Sequence, residues 1–104
     1  MRSMLCKADV FVSNLAPGSV DKLGLSGDKL RAENPKLITC TITGYGEAEQ
    51  ALKKKAYDFL VQGEVGLCSV TGTRDAPARV GVSITDLSTG LTAFSGILRA
   101  LIQR

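Results

Sequence analysis

The sequence predicts an α/β fold in which a few parallel strands are flanked by helices. Residues 8–13 and 36–46 have the apolar and β-branched character of strands, and each is followed by a stretch with helical spacing. Strands that alternate with helices are typical of layered α/β structure. The 104 residues are enough for one domain, and no internal repeat or linker divides them.

The first half of the chain is predicted to contain both strands, with short helices between them. Residues 8–13 are largely apolar, as expected of a buried parallel strand, and the Pro-Gly pair at residues 17–18 ends them in a turn. Two glycines divide residues 20–34, which predicts two short helices, the second ending before Pro35. Residues 36–46 form the second predicted strand and close with two glycines.

The second half is predicted to be mainly helical. Residues 47–67 have helical spacing, with strong helix formers in their first half, and residues 71–81 contain three breakers that indicate a loop. The final segment predicts the longest helix, because apolar residues recur at intervals of four, three, four and three along one face. These residues are Leu87, Leu91, Phe94, Leu98 and Leu101.

The composition excludes several classes of function. A net charge of +3, with acidic and basic residues mixed, is too small to indicate nucleic-acid binding, although it suits a polyanionic small molecule. Histidine is absent, which removes Ser–His and Cys–His catalysis and most zinc sites, so no metal site is predicted. No run of residues approaches membrane-spanning length. The three cysteines are widely spaced among apolar residues and are expected to be buried and reduced, which predicts a cytoplasmic location.

One carboxylate stands at the start of the last predicted helix, in the segment VSITDLSTG at residues 82–90. Asp86 suits an N-cap, whose side chain accepts backbone N–H bonds at the positive end of the helix dipole. The same position also orients a carboxylate outward, where it can attack an activated acyl carbon. The two interpretations are compatible, and both stay open at this point.

Two further segments are placed where a ligand is expected. Residues 13–22 pass from a strand into a helix, and ligands of open α/β sheets bind at this edge, although a plain turn has the same pattern. Residues 53–58, KKKAYD, form either a solvated helix face or a basic cluster beside a tyrosine. Such a cluster would suit an adenine nucleotide with several phosphates.

Four segments resemble, in order, the family III CoA-transferases, the CaiB/BaiF family that includes formyl-CoA transferase. They are ADVFVSNLAPGSVDKLGL, NPKLITCTITGYG, KKAYDFLVQGEVGLCSVTGT and PARVGVSITDLSTGLTAFSGIL. The resemblance covers nearly the whole chain and implies a partial Rossmann-like layer, with few parallel strands, within a longer fold. Residues 1–104 would then be a single partial domain that lacks the family's N-terminal start and second domain.

The resemblance implies an enzyme that moves CoA from an acyl-CoA donor to a carboxylic acid through intermediates bound to an aspartate. Asp86 stands at the position of that aspartate. Coenzyme A and acyl-CoA are substrates in such an enzyme, so no tightly bound cofactor is implied. Members of the family are interlocked homodimers, and an isolated fragment of one is expected to be weak or inactive.

The resemblance also implies a CoA site and one acidic residue, Asp58, near the reacting centre. Lys22 matches a position that is arginine in some members; it keeps the charge but loses the planar fork that grips a phosphate with two hydrogen bonds. The positions that match CoA contacts are Asn14, Leu15, Lys22, Lys55 and Tyr57.

Two other functions are open at this stage. The α-methylacyl-CoA racemases share the superfamily but use a histidine at the position of Tyr57, and this chain has no histidine. The other is a truncated copy without catalysis, which binds CoA or serves as a structural fragment.

Residues 54–64 and 69–73 look most like members of the CoA-transferase family that act on small dicarboxylates.

Overall fold

The computed structural model describes residues 2–46 and 48–104, in which helices and strands alternate as the sequence predicts. The α/β fold class is therefore confirmed. The elements of the described residues are α1 (Arg2–Leu5), β1 (Val10–Ser13), α2 (Ser19–Lys22), α3 (Gly27–Glu33), β2 (Ile38–Thr41), α4 (Asp58–Glu64), α5 (Leu67–Val70), β3 (Gly72–Thr73), β4 (Ala76–Pro77) and α6 (Ile84–Gln103).

Strands β1 and β2 pair in parallel, with Val10 opposite Ile38 and Ser13 opposite Thr41. Both strands are shorter than the predicted segments. The expectation that β1 is buried is wrong, because Val12 is 49% exposed and only Ser13 of the strand is buried. The sheet that the structure describes here has two strands, so each is an edge strand with incomplete cover.

The apolar core lies beside this sheet and is formed by four leucines. Phe11 of β1 packs against it, together with Ala8 and Val20. Helix α3 ends before Asn34, as predicted, and the Asn34 Nδ2 donates hydrogen bonds to the carbonyl oxygens of Leu5 (3.3 Å) and Ala8 (3.0 Å). These bonds join the end of α3 to the start of β1. The core leucines are Leu5, Leu25, Leu30 and Leu37.

The predicted helix over residues 47–67 is wrong in its first half, of which Glu47 lies outside the described residues. Residues 49–53 form turns, residues 54–57 have no regular secondary structure, and the helix α4 begins only at Asp58. Tertiary contact overrides propensity here. A Cβ on Gly44 would lie 1.9 Å from the Cβ of Ala56, so residues 55–57 pass directly over the glycine. The absence of a side chain at Gly44 allows the chain to return to the end of β2.

The predicted loop at residues 71–81 contains a small antiparallel hairpin formed by β3 and β4. Gly72 has a φ of +93°, and a Cβ there would lie 2.5 Å from the carbonyl oxygen of Ala76. Only glycine fits this position without strain.

The long helix α6 confirms the last predicted element and has two different faces. Its small residues Ala93, Gly96 and Ala100 lie against β2, where they border a cavity of about 180 Å³. The predicted apolar stripe lies on another face, where Leu87, Leu91, Phe94 and Leu98 are all exposed. At the far end, Arg104 donates hydrogen bonds to the Lys36 carbonyl (3.0 Å) and the Asp9 carboxylate (2.8 Å).

All three cysteines are free thiols, as expected, but none of them is buried. Cys6 is exposed, whereas Cys40 and Cys68 are partly covered. Cys40 lies on a β2 edge strand, and Cys6 follows the short helix α1, so neither position is enclosed by the leucine core.

Candidate active site

A cavity of about 670 Å³ lies where the two parallel strands end. Parallel strands bring their carboxyl ends to one edge, so the turn after β1 and the segment after β2 meet there. The first turns of α6 and the turns before α4 complete the wall. Residues of these four segments that line the cavity include Asn14, Leu15, Pro17, Thr43, Gly44, Tyr45, Lys53, Lys54, Lys55, Ala56, Tyr57, Thr85, Asp86, Thr89 and Gly90.

Asp86 is exposed and lies on this wall, in the first turn of α6. The N-cap residue of the helix is Ser83, so the interpretation of Asp86 as the N-cap is wrong. The first turn of a helix carries the positive end of its dipole, which favours a negative group there. The helix therefore presents the Asp86 carboxylate to the cavity without using it as its cap.

A different carboxylate, Asp58 of α4, caps α6 from a distance. The Asp58 Oδ1 accepts hydrogen bonds from the Thr85 N–H (2.9 Å) and the Thr85 hydroxyl (2.6 Å). Ser83 itself makes no side-chain cap bond, so Asp58 supplies the acceptor that a local cap residue usually provides. The Thr85 side-chain hydrogen bond is the main cause that lowers the pKa of Asp58, and burial opposes it.

The other oxygen of Asp58 is held by Gln62, whose side chain is fully buried. The Gln62 Nε2 donates to Asp58 Oδ2 (2.6 Å) and to the Val82 carbonyl (3.4 Å). The Gln62 Oε1 accepts a hydrogen bond from the Val80 N–H (2.9 Å). This network ties α4 to the residues that lead into α6.

The three lysines of residues 53–55 lie on the cavity wall, in an irregular segment rather than on the predicted helix. Lys54 pairs with Glu64 of α4 (Nζ to Oε2, 2.6 Å), and its Nζ lies 4.6 Å from the centre of the Tyr45 ring. The hydrogen bond to Glu64 is the main cause that raises the pKa of Lys54. Lys54 therefore fastens the turns to α4, while Lys53 and Lys55 border the cavity on either side of it.

The structure brings together five of the seven predicted site residues. Lys22, at the end of α2, is exposed and is not among the residues that line the cavity. Asp58 lies behind the wall, beneath Thr85. The functional roles of all seven stay predictions. The five on the wall are Asn14, Leu15, Lys55, Tyr57 and Asp86.

Sequence reasoning missed several residues of the site. Thr89 and Gly90 follow Asp86 by three and four positions, a spacing that places them on the same face of a helix and could have revealed them. Gln62 follows Asp58 by four positions on α4, which is a weaker signal of contact. Tyr45 was also missed, because its contact with Lys54 of the predicted basic cluster forms only through the tertiary fold and no local pattern indicates it.

Among residues 2–46 and 48–104, no three side chains of the metal-binding types form a group that could hold a metal ion. Over the same residues, each helix is too short or too polar to cross a lipid bilayer.

Comparison with known proteins places this arrangement in a family. Residues 1–104 match the model of CoA-transferase family III. The succinyl-CoA:glutarate CoA-transferase of Mus musculus is 37% identical over 105 residues, which cover 100% of this chain and 24% of that protein. The succinate–glutarate CoA-transferase of Agrobacterium fabrum is 40% identical over 104 residues, with 99% of this chain and 26% of that protein covered.

A solved structure agrees with the sequence match. The crystal structure of a CAIB/BAIF family protein from Brucella suis superposes with a TM-score of 0.92 at 40% identity, over 99% of this chain and 28% of that one. The chain thus spans about a quarter of the length of the curated relatives it matches. Because the family model matches every residue and the fold agrees, the chain belongs to CoA-transferase family III.

Proposed function

We propose that the protein containing this chain transfers CoA from an acyl-CoA donor to a small carboxylic acid, with Asp86 as the nucleophile. The observation that carries the proposal is the contrast between two neighbouring carboxylates. Asp58 is buried and both of its oxygens accept hydrogen bonds, whereas Asp86 is exposed on the wall of a cavity of about 670 Å³. A cavity of this size suits a small-molecule ligand.

In the proposed reaction, an Asp86 carboxylate oxygen attacks the donor's thioester carbonyl, the C–S bond breaks, and CoA leaves as a thiolate. The thiolate then attacks the aspartyl carbonyl of the mixed anhydride, which forms an aspartyl-CoA thioester and releases the donor as its carboxylate. The acceptor carboxylate attacks this thioester, giving a second mixed anhydride and the thiolate again. Attack of the thiolate on the acceptor's acyl carbon forms the new acyl-CoA and restores Asp86.

The cavity wall supplies the groups that such a substrate needs. Lys53 and Lys55 place positive charge where the phosphates of CoA would bind, and Lys54 holds their segment in position through Glu64. Asn14 and Leu15, in the turn after β1, lie on the same cavity and would contact CoA. Lys22 is the last residue of α2 and does not line the cavity. It would therefore contact only a part of CoA that extends beyond the cavity.

The acceptor that we propose is a small dicarboxylate. The relatives from Mus musculus and Agrobacterium fabrum are named for succinyl-CoA or succinate and glutarate. The basic cavity wall is compatible with a second carboxylate on the substrate.

We also propose a cytoplasmic location and a homodimer for the whole protein.

Residues 1–104 alone are expected to turn over weakly or not at all, because they span about a quarter of the relatives' length. Incubation of this segment with succinyl-CoA and several dicarboxylates tests the expectation. Robust exchange of CoA by the segment would contradict it.

The decisive test of the proposal is the substitution Asp86→Asn in the whole protein that contains residues 1–104. We expect a loss of CoA transfer of at least about 10³-fold, because an amide cannot form the anhydride. Asp75→Asn is the matched control, since it removes the same charge from an exposed turn outside the cavity lining and should leave transfer unchanged.

A trapping experiment identifies the intermediate directly. Wild-type protein is incubated with acyl-CoA and then with hydroxylamine, which converts an aspartyl thioester into a hydroxamate. Trypsin cuts after Arg79 and Arg99, so a modified Asp86 will be found in the peptide of residues 80–99. Near-normal transfer by Asp86→Ala, or no hydroxamate in that peptide, would refute the nucleophile. Racemisation of a 2-methylacyl-CoA without CoA exchange would support the racemase alternative instead.

A further inference from the structure

We infer that Gln62 is a positioning residue for the transfer reaction, because its buried amide fixes the first turn of α6 and thereby the direction of the Asp86 carboxylate. This inference deepens the proposed function and rests on it. Gln62 does not line the cavity, so it does not touch the substrate and acts through Asp58 and the backbone.

Both ends of the Gln62 amide are hydrogen-bonded. It has no exposed surface, its Nε2 serves two acceptors, and its Oε1 accepts one backbone N–H. Within the described residues, no buried side-chain nitrogen or oxygen lacks a hydrogen-bond partner. Because a buried polar group costs free energy unless it is paired, this saturation holds the side chain in one orientation.

The two ends of the amide cannot be exchanged. Asp58 Oδ2 requires a donor, which only the Nε2 end provides, while the Val80 N–H requires an acceptor, which the Oε1 end provides. A flipped amide would set oxygen against oxygen on one side and N–H against N–H on the other. Gln62 therefore fixes the distance between α4 and the backbone that precedes α6.

The connection to Asp86 is one residue long. Asp58 holds both the N–H and the hydroxyl of Thr85, and Asp86 is the next residue in the same helical turn. The N-cap Ser83 makes no side-chain hydrogen bond to this turn. The position of the turn therefore depends on Asp58 and on Gln62, which is hydrogen-bonded to Asp58. A shift of about 1 Å at a reacting group can cost about 10²-fold in rate.

Gln62→Met keeps the length and shape of the side chain and removes every hydrogen bond. We expect kcat for CoA transfer to fall by about 10²-fold. KM for acyl-CoA should stay within about threefold, because Asn14, Leu15, Lys53 and Lys55, which we propose to contact CoA, lie on other segments of the wall. Gln103→Met, at the exposed end of α6, is the matched control and should keep both constants. Wild-type kcat in Gln62→Met, or an equal loss in the control, would overturn the inference.

Gln62→Glu adds a readout that a purely structural role would not give. Where both carboxylates are ionised, the new one faces Asp58 Oδ2 and repels it, so kcat should be low. As the pH falls, one shared proton restores the donor, and the ratio of variant to wild-type kcat should rise. The adjacent carboxylate and burial raise the pKa of the pair, and Arg79 in the loop before α6 opposes this, so the ratio is measured on both sides of neutral pH. A ratio that is flat with pH would overturn the inference, as would unfolding of both Gln62 variants at every pH.

The same assay separates this inference from the proposed function. If Asp86→Asn is inactive and wild type gives the hydroxamate, but Gln62→Met matches wild type, only the positioning role fails. If wild type transfers no CoA, or Asp86→Asn is fully active, the proposed function fails and the role of Gln62 fails with it.

Discussion

The two halves of the molecule differ in what they bury: the cluster of buried apolar side chains lies in the first half, which also buries the polar Ser13. Residues 2–41 enclose four leucines, Leu5, Leu25, Leu30 and Leu37, beside the parallel sheet. In residues 58–103 the buried side chains are polar, Asp58 and Gln62, while apolar residues such as Leu91 and Phe94 are exposed. The first half is therefore stabilised by hydrophobic burial, and the start of the second half is positioned by hydrogen bonds.

This difference has a consequence for function. Hydrophobic burial is non-directional and tolerates small shifts, whereas hydrogen bonds fix angles and distances. Asp86 lies in the half that uses hydrogen bonds, one residue after the Thr85 that Asp58 holds. The carboxylate that we propose as the nucleophile is thus attached to the more directional of the two arrangements.

The molecule is extended for its length. The radius of gyration is 16.8 Å, compared with about 13 Å for a compact domain of this length. The molecule measures 55 × 30 × 20 Å along its principal axes. Its first half has a small apolar core, whereas the second half, residues 58–103, has none, and both halves expose large apolar side chains.

The largest effect on stability is expected from the leucine core. Leu30 is only 2% exposed, so Leu30→Ala should lower the free energy of unfolding by about 2–5 kcal/mol through lost burial and the remaining cavity. Leu23→Ala is the matched control, because Leu23 is 62% exposed and should change it by less than about 0.5 kcal/mol. Chemical denaturation of the natural polypeptide measures both. An equal loss of unfolding free energy in the two variants would show that the leucine core does not dominate the stability of the first half.

A smaller effect, and one that depends on pH, is expected at Asp58. Its folded-state pKa is lowered, chiefly by the Thr85 side chain, from an ordinary value of 3.8. The ionised form therefore stabilises the folded state above that value, and this contribution is lost as the pH falls through the folded pKa. The difference in unfolding free energy between wild type and Asp58→Asn should be constant near neutral pH and shrink below about pH 4. A difference that grows on acidification would contradict the proposed hydrogen-bond network.

Local sequence signals predicted the elements whose structure depends on local interactions. Helix α3 ends at Asn34 before Pro35, and the apolar period of α6 continues through the whole helix. Residues 48–57 could not be predicted in this way, although they contain strong helix formers. Their path depends on the contact of Ala56 with Gly44 and of Lys54 with Tyr45 and Glu64, which are set by the tertiary fold.

The candidate site was predictable to the extent that topology and family resemblance determine it. Parallel strands bring the Asn14 turn and the segment after β2 to one edge, and the start of α6 places Asp86 beside them. The burial of Asp58 and the exposure of Asp86 could not be predicted, because a sequence does not reveal which of two carboxylates is buried. Gln62 carries no motif, and two of its hydrogen bonds join it to residues 18 and 20 positions away.

The smallest stability effect is expected at two interior glycines of α6, Gly90 and Gly96, which the kinetics of their alanine variants should distinguish. A Cβ at Gly90 or at Gly96 would have no heavy atom within 4 Å, so alanine at either position should stabilise the protein by about 0.5–1 kcal/mol. Gly90 lines the large cavity one turn after Asp86, whereas Gly96 borders the separate cavity beside β2. Gly90→Ala should therefore also raise KM for acyl-CoA about tenfold, through the methyl group it adds to the site. Gly96→Ala should gain the same stability with unchanged kinetics. Equal kinetics in both variants would show that the first turns of α6 do not face the substrate, and the link between the hydrogen-bonded half and catalysis would be lost.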